Sequence, residues 1–211
     1  QYSTPLLHKS NENRNGCNHC LIDILENNNK TTNYISNKIT YLEGGNISMK
    51  IANGFDLMNY ASKRGLMLPA FNTTNLEMTF AIAKGLNIAG LPGYIQISSN
   101  NLRLSDPETI AFLTKKALKD SDVPIGLHLD HGKSYEDVKA CVNAGFTSIM
   151  IDASHLPFEE NIKEVRKAVE YCHFYGVPVE AELGCLQGKE EDIVNEADAK
   201  TDPDMVADFV A

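Results

Sequence analysis

From about residue 50 the chain switches regularly between two hydrophobic periods. Residues 55–64 (FDLMNYASKR) place apolar residues at helical spacing and stop at Gly65. A short apolar run at 67–72 predicts a strand. Thr74-Asn-Leu-Glu77 has the capping-box pattern and opens a helix to about residue 89. A strand follows at 94–98 (YIQIS). Asp106 then Pro107 read as an N-cap and first helical residue, starting a helix to about 119. The rest continues in the same way. Strands are predicted at 124–130, 147–151 and 177–182, with helices from Ser134 to near Gly145 and over 158–174, ending at Gly176. Asp202-Pro203 opens a last helix. Met78, Phe80, Met150 and Phe174 are read as core.

Strand and helix alternate five times over short connections, which predicts a parallel sheet with right-handed crossovers. Two α/β architectures compete, a doubly wound sheet and a TIM (β/α)8 barrel. The first strand is not followed by the G-x-G-x-x-G turn of a dinucleotide fold. A barrel takes about 250 residues. Residues 49–211 would therefore be the N-terminal part of an incomplete barrel, with about five βα units.

Residues 1–48 are different. Asn11, Asn13, Asn15, Asn18, Asn27, Asn28, Asn29, Asn33, Asn37 and Asn46 crowd a stretch with no sustained period. Such sequence buries too little apolar surface to offset its ordering entropy. It reads as a leader, disordered or non-native, with Met49 as the natural start. Cys17-Asn-His-Cys20 has no second Cys/His pair nearby to complete a zinc site, so its thiols are read as free.

Composition narrows the function. With 43% hydrophobic and 22% charged residues the chain is globular. A net charge of −9 argues against nucleic acid as a partner. No apolar run nears the ~18 residues of a membrane span. Five Cys are too few for a disulfide scaffold and fit the reduced thiols of a cytoplasmic protein. An anionic substrate would have to be held by a metal or by backbone N–H groups, since spare positive charge is scarce.

The candidate chemistry sits at the strand ends. Asn72, Ser98, Asp130-His131, Asp152 and Glu182 each fall at the C-terminal end of a predicted strand. One polar strand end means little, because loops are polar. Five in succession, with three acids and a His, converge on the face where barrel active sites lie. Period 2 puts His128 and Asp130 on one face; His128 is read as a satisfied interior residue. His131, just past the strand, suits a divalent metal, and Asp130 beside it suits proton transfer. The polar loop 183–192 after the fifth strand could close over a ligand and deliver an acid.

Taken together, PAFNTTNLEMTFAI (69–82), YIQIS (94–98), PIGLHLDHG (124–132), FTSIMIDASHLPFEENI (146–162) and VPVEAELG…GKEEDIV (177–194) resemble the class II, metal-dependent ketose-bisphosphate aldolases over residues 49–211. The resemblance implies a TIM barrel and reversible cleavage of fructose or tagatose 1,6-bisphosphate to dihydroxyacetone phosphate and glyceraldehyde 3-phosphate. It implies Zn2+, with room for a second monovalent or divalent cation. Asp130 matches the acid/base for the C4 hydroxyl, and His131 one of three zinc histidines. Asp152 and Glu182 match acids close to the metal. Asn72 and Ser98 match substrate contacts, and Glu190 or Glu191 the mobile-loop acid. The family's other two zinc histidines and its phosphate loops would lie beyond Ala211. A full-length homo-oligomer, dimer or tetramer, is expected. The alternatives are a non-catalytic half-barrel acting through a partner chain, and a class II aldolase for another phosphorylated keto-sugar acid.

Overall fold

The computed structural model describes residues 51–184, 188–190, 193–195 and 200–211, and the leader of residues 1–48 lies outside them. The elements run α1 (Gly54–Arg64), β1 (Ala70–Asn72), α2 (Leu76–Ala89), β2 (Gly93–Ser98), α3 (Ser99–Leu102), α4 (Pro107–Ala117) and β3 (Ile125–Gly132). They continue with α5 (Tyr135–Ala144), β4 (Ser148–Ile151), α6 (Phe158–Phe174), β5 (Val179–Ala181), β6 (Gly188–Glu190), β7 (Ile193–Asn195), a 3-10 turn (Pro203–Met205) and α7 (Val206–Phe209).

Local chemistry sets most boundaries. The Asp106 carboxylate accepts from Thr109 N–H at 2.7 Å, with Pro107 at the first helical position. Ser134 caps α5 in the same way through Asp137 N–H, 3.1 Å. Gly65 and Gly145 end α1 and α5 in the left-handed region, at φ 61° and 100°. At α2 the cap is Asn75, not Thr74: the Asn75 side chain accepts from Met78 N–H at 2.9 Å. Two elements were not expected. These are the single-turn α3 and an antiparallel β6–β7 pair, of which β6 falls in the polar loop 183–192 and β7 just after it. The helix expected from Asp202 begins as the 3-10 turn.

Strands β1 to β5 form one parallel sheet whose spatial order is the chain order. A doubly wound sheet reverses direction at a switch point. This sheet never does, so each βα unit steps to the same side, as in the wall of a barrel.

The two faces separate by period 2. Ile95, Ile97, Ile125, Leu127, Leu129, Ile149, Ile151, Val179 and Ala181 face the helices and are fully or nearly fully buried. Each such Val, Leu or Ile side chain contributes roughly 1.5–3 kcal/mol. The alternate positions Tyr94, Gln96, His128, Asp130, Ser148, Met150 and Glu180 line the concave inner face. Helix α1 closes one end of that face, and Tyr94 Oη donates to the Gly54 carbonyl at 3.2 Å. Of the four residues expected in the core, only Met150 is buried. Helix α2 packs through Thr79, Ala83 and Leu86, one helical stripe that leaves Met78 and Phe80 outside. Phe174, the last residue of α6, is 80% exposed.

Candidate active site at the strand ends

The expected site residues sit where the sheet opens. Asn72 ends β1 and Ser98 ends β2. Asp130 and His131 lie within β3, which runs to Gly132. Asp152 and Glu182 each follow the last residue of their strand. Asn72, Asp130 and His131 line one cavity of about 720 Å³ on the inner face. Ser98 is the cross-strand partner of Asp130 and is buried. Glu190 is located by its backbone in β6, and Glu191 falls outside the described residues.

A break in the sheet register aims His131. The β3–β4 pairing shifts between Leu129 and Gly132. Within the bulge His131 adopts φ 49°, the one described non-glycine residue with positive φ. Gly132 follows because a Cβ there would stand 2.7 Å from the Met150 carbonyl oxygen. The register recovers where Asp152 N–H donates to Gly132 O at 2.9 Å. The His131 Nδ1 then lies 2.9 Å from Asp152 Oδ2. Oδ1 of the same carboxylate accepts from Ser154 N–H and Oγ–H, at 3.1 and 2.7 Å. Burial pushes the Asp152 carboxyl up, but the bonds from His131 and Ser154 outweigh it and hold it at about 2. Asp152 is thus an anion and only accepts. The proton between them belongs to His131 Nδ1, and a neutral imidazole carries its lone pair on Nε2.

Glu182 completes a group. One donor atom each from His131, Asp152 and Glu182 lies within 4.8 Å of the others. Asn161 of α6 fixes the Glu182 backbone by donating to its carbonyl at 2.9 Å. One nitrogen and two carboxylate donors, largely buried, suit a divalent cation, and the imidazole favours zinc over magnesium or calcium. An imidazole whose other nitrogen donates to a carboxylate is the usual arrangement of a metal-binding histidine.

Below the mouth lies an acid that the strand-end reading passed over. Glu180 shares the inner face with Glu182, two residues on. Burial, reinforced by nearby Asp130 and partly offset by His131, raises its carboxyl to about 7. The alternation Val179-Glu180-Ala181-Glu182 carried this signal. His128 is interior, as expected. Its Nδ1 is 2.8 Å from Ser148 Oγ and its Nε2 3.7 Å from Glu180 Oε2. Burial, and secondarily His131, lower it to about 4. His128 is therefore neutral at pH 7, and its contact with Glu180 is not a salt bridge. Cys141 and Cys172 are free thiols, buried, with burial pushing both above the ordinary range. They take no part in the site. No helix among the described residues is long and apolar enough to cross a membrane.

Comparison with known proteins shows the family. The family model "Fructose-bisphosphate aldolase class-II" matches residues 52–211. A fructose-bisphosphate aldolase of Geobacillus stearothermophilus is 40% identical over 78% of the chain, and one of Staphylococcus aureus is 38% identical over 78%. The chain spans 56% and 57% of those two proteins. Among solved structures, the YdjI aldolase of Escherichia coli K12 superposes with a TM-score of 0.64 at 31% identity. That match covers 75% of this chain and 56% of the other.

Proposed function

From the premise that the chain belongs to the class II fructose-bisphosphate aldolase family, we propose that its site takes part in zinc-dependent, reversible aldol cleavage of a ketose 1,6-bisphosphate. The products are dihydroxyacetone phosphate and glyceraldehyde 3-phosphate. Fructose 1,6-bisphosphate is the first substrate, and the tagatose epimer the second to try. The observation that carries the reading is the His131–Asp152 pair, which the β3 bulge sets beside Asp130 and Glu182 at the strand ends.

His131, Asp152 and Glu182 would hold the zinc, with Asp152 also fixing the imidazole and lending it negative charge. When bound, zinc supplies a Lewis acid for the ketone oxygen and for the charge left as the C3–C4 bond breaks. Asp130 takes the proton of the C4 hydroxyl in cleavage and returns it in condensation. Ser98, buried beside Asp130, and Asn72, on the cavity wall, contact the substrate oxygens. Glu190 or Glu191 exchanges the proton at C3. The full-length protein is a cytoplasmic homo-oligomer in this reading. A Schiff-base route would want a Lys at a strand end in the cavity; Lys133 directly follows β3, but its Nζ donates to Asn100 Oδ1 at 2.8 Å and the cavity lining does not include it.

The test is triose phosphate release from fructose 1,6-bisphosphate after chelation and after zinc is restored. Recovery with zinc, and a loss of at least roughly 100-fold in Asp130→Ala, is expected. A fully zinc-loaded chain that releases none refutes the reading for these residues. Open sheet edges favour a second reading, the half-barrel that acts only through a partner chain. Among the described residues β1 pairs with β2 alone and β5 with β4 alone, and Phe71 is half exposed. A stable complex without cleavage would support it. A well-behaved monomer on size exclusion would count against it.

A further inference from the structure

Past the last rung of β5 the chain is held by side chains. The β4–β5 ladder ends with Ile151 opposite Ala181. The next two residues, Glu182 and Leu183, are buried, and a buried carbonyl has to be paired. Glu182 O accepts from Asn161 Nδ2 at 2.9 Å, and Leu183 O accepts from Thr201 Oγ1 at 2.6 Å. The two donors come from different parts of the chain, one from α6 and the other from just before the 3-10 turn.

Asn161 stands where α6 would ordinarily carry an apolar residue. The buried positions of that helix are Asn161, Val165, Ala168 and Cys172, one stripe at helical spacing. Asn161 is 2% exposed, and its Oδ1 has no hydrogen-bond partner among the described residues. A half-satisfied amide in a core costs stability. Its satisfied half holds the backbone of Glu182, whose carboxylate lies in the group with His131 and Asp152. A carboxylate ligand has to stand about 2.0–2.2 Å from zinc, within about 0.2 Å, and the ladder stops one residue short of Glu182. We propose that Asn161 and Thr201 are positioning residues, a clamp on consecutive carbonyls that fixes the backbone of Glu182 so that its carboxylate meets the metal. The metal rests on the aldolase reading; the placing of the carboxylate by the clamp does not.

Asn161→Leu keeps the volume and removes the donor. Thr201→Val does the same at a half-buried position, and Thr201→Ser keeps the hydroxyl. Titration of the metal-stripped full chain with Co2+, followed in its visible bands, reads the site without turnover. Asn161→Leu and Thr201→Val are each expected to weaken Co2+ binding by roughly twofold to tenfold, the effect of one hydrogen bond, and to shift the bands. Thr201→Ser should bind as wild type does. A residue that merely stabilises the fold would act independently of Glu182. In a Glu182→Gln background, therefore, neither Asn161→Leu nor Thr201→Val should weaken binding further. The proposal is overturned if either variant binds Co2+ as wild type does, or if either still weakens binding once residue 182 is glutamine. Thr201→Val decides alone if Asn161→Leu does not fold. If the wild-type chain takes no Co2+, the metal reading fails, and the 13C resonance of the Glu182 carboxyl, assigned through Glu182→Gln, decides the positioning. It should move in Asn161→Leu and Thr201→Val but not in Thr201→Ser; a resonance that stays put in either of the first two overturns the clamp.

Discussion

Glu180 and His128 form an opposed pair whose titration should be visible in stability. Glu180, ordinarily near 4.5, titrates at about 7 in the fold; His128, ordinarily near 6.5, titrates at about 4. Glu180 therefore contributes stability that is present below pH 4.5 and lost as pH rises through 7. His128 contributes the reverse, stability present above pH 6.5 and lost as pH falls through 4. Between pH 4.5 and 6.5 the unfolded chain holds this proton on His128 and the folded chain holds it on Glu180. The proton count is equal, so the pair leaves stability flat there. Glu180→Gln removes one side of the balance. The folded variant then binds one proton fewer than the unfolded chain across that range. Its stability should rise with pH by roughly 1.4 kcal/mol per pH unit, about 3 kcal/mol in all. Urea denaturation of metal-free wild type and variant from pH 4.5 to 8 measures the difference, in which other groups cancel. Parallel curves would refute the assignment of raised and lowered groups to this pair.

Other outcomes follow from single contacts. Asp152→Asn removes the anion that orients His131, and zinc titration should show affinity about 10- to 100-fold weaker. Gly132→Ala drives a Cβ to 2.7 Å from Met150 O; thermal melts should show a loss of roughly 1–3 kcal/mol. Ser134→Ala deletes the α5 cap, with an expected cost of about 1 kcal/mol by denaturant titration. Leu127→Ala should cost about 2–5 kcal/mol, because Leu127 is fully buried between sheet and helices.

Much of this was legible in the sequence because it is written locally. Asp106-Pro107, Ser134, Gly65 and Gly145 act through their nearest neighbours, and each marks the boundary expected of it. Thr74 misled because three adjacent residues, Thr73, Thr74 and Asn75, can all cap. The choice fell to Asn75, while Thr73 turned inward to pair with Thr79 at 2.7 Å. The polar strand ends mark the end of the sheet where the cavity lies. Glu180, one layer down, shares that face by period 2. Its role depends on cross-strand register, which strand pairing sets and no single segment encodes. The left-handed turn at His131 depends on the same register. Phe80 and Phe174, expected in the core, sit off the buried stripes of α2 and α6.

The strand order has a consequence for synthesis. Among the described residues every sheet pairing joins a strand to its predecessor in the chain: Ala70 with Tyr94, Gly93 with Ile125, His128 with Ser148, and Ile149 with Val179. None of these contacts waits for a distant segment. As the polypeptide leaves the ribosome, each strand meets a template already in place. The sheet can therefore grow vectorially, one βα unit at a time, with loop-closure entropy kept small at each step.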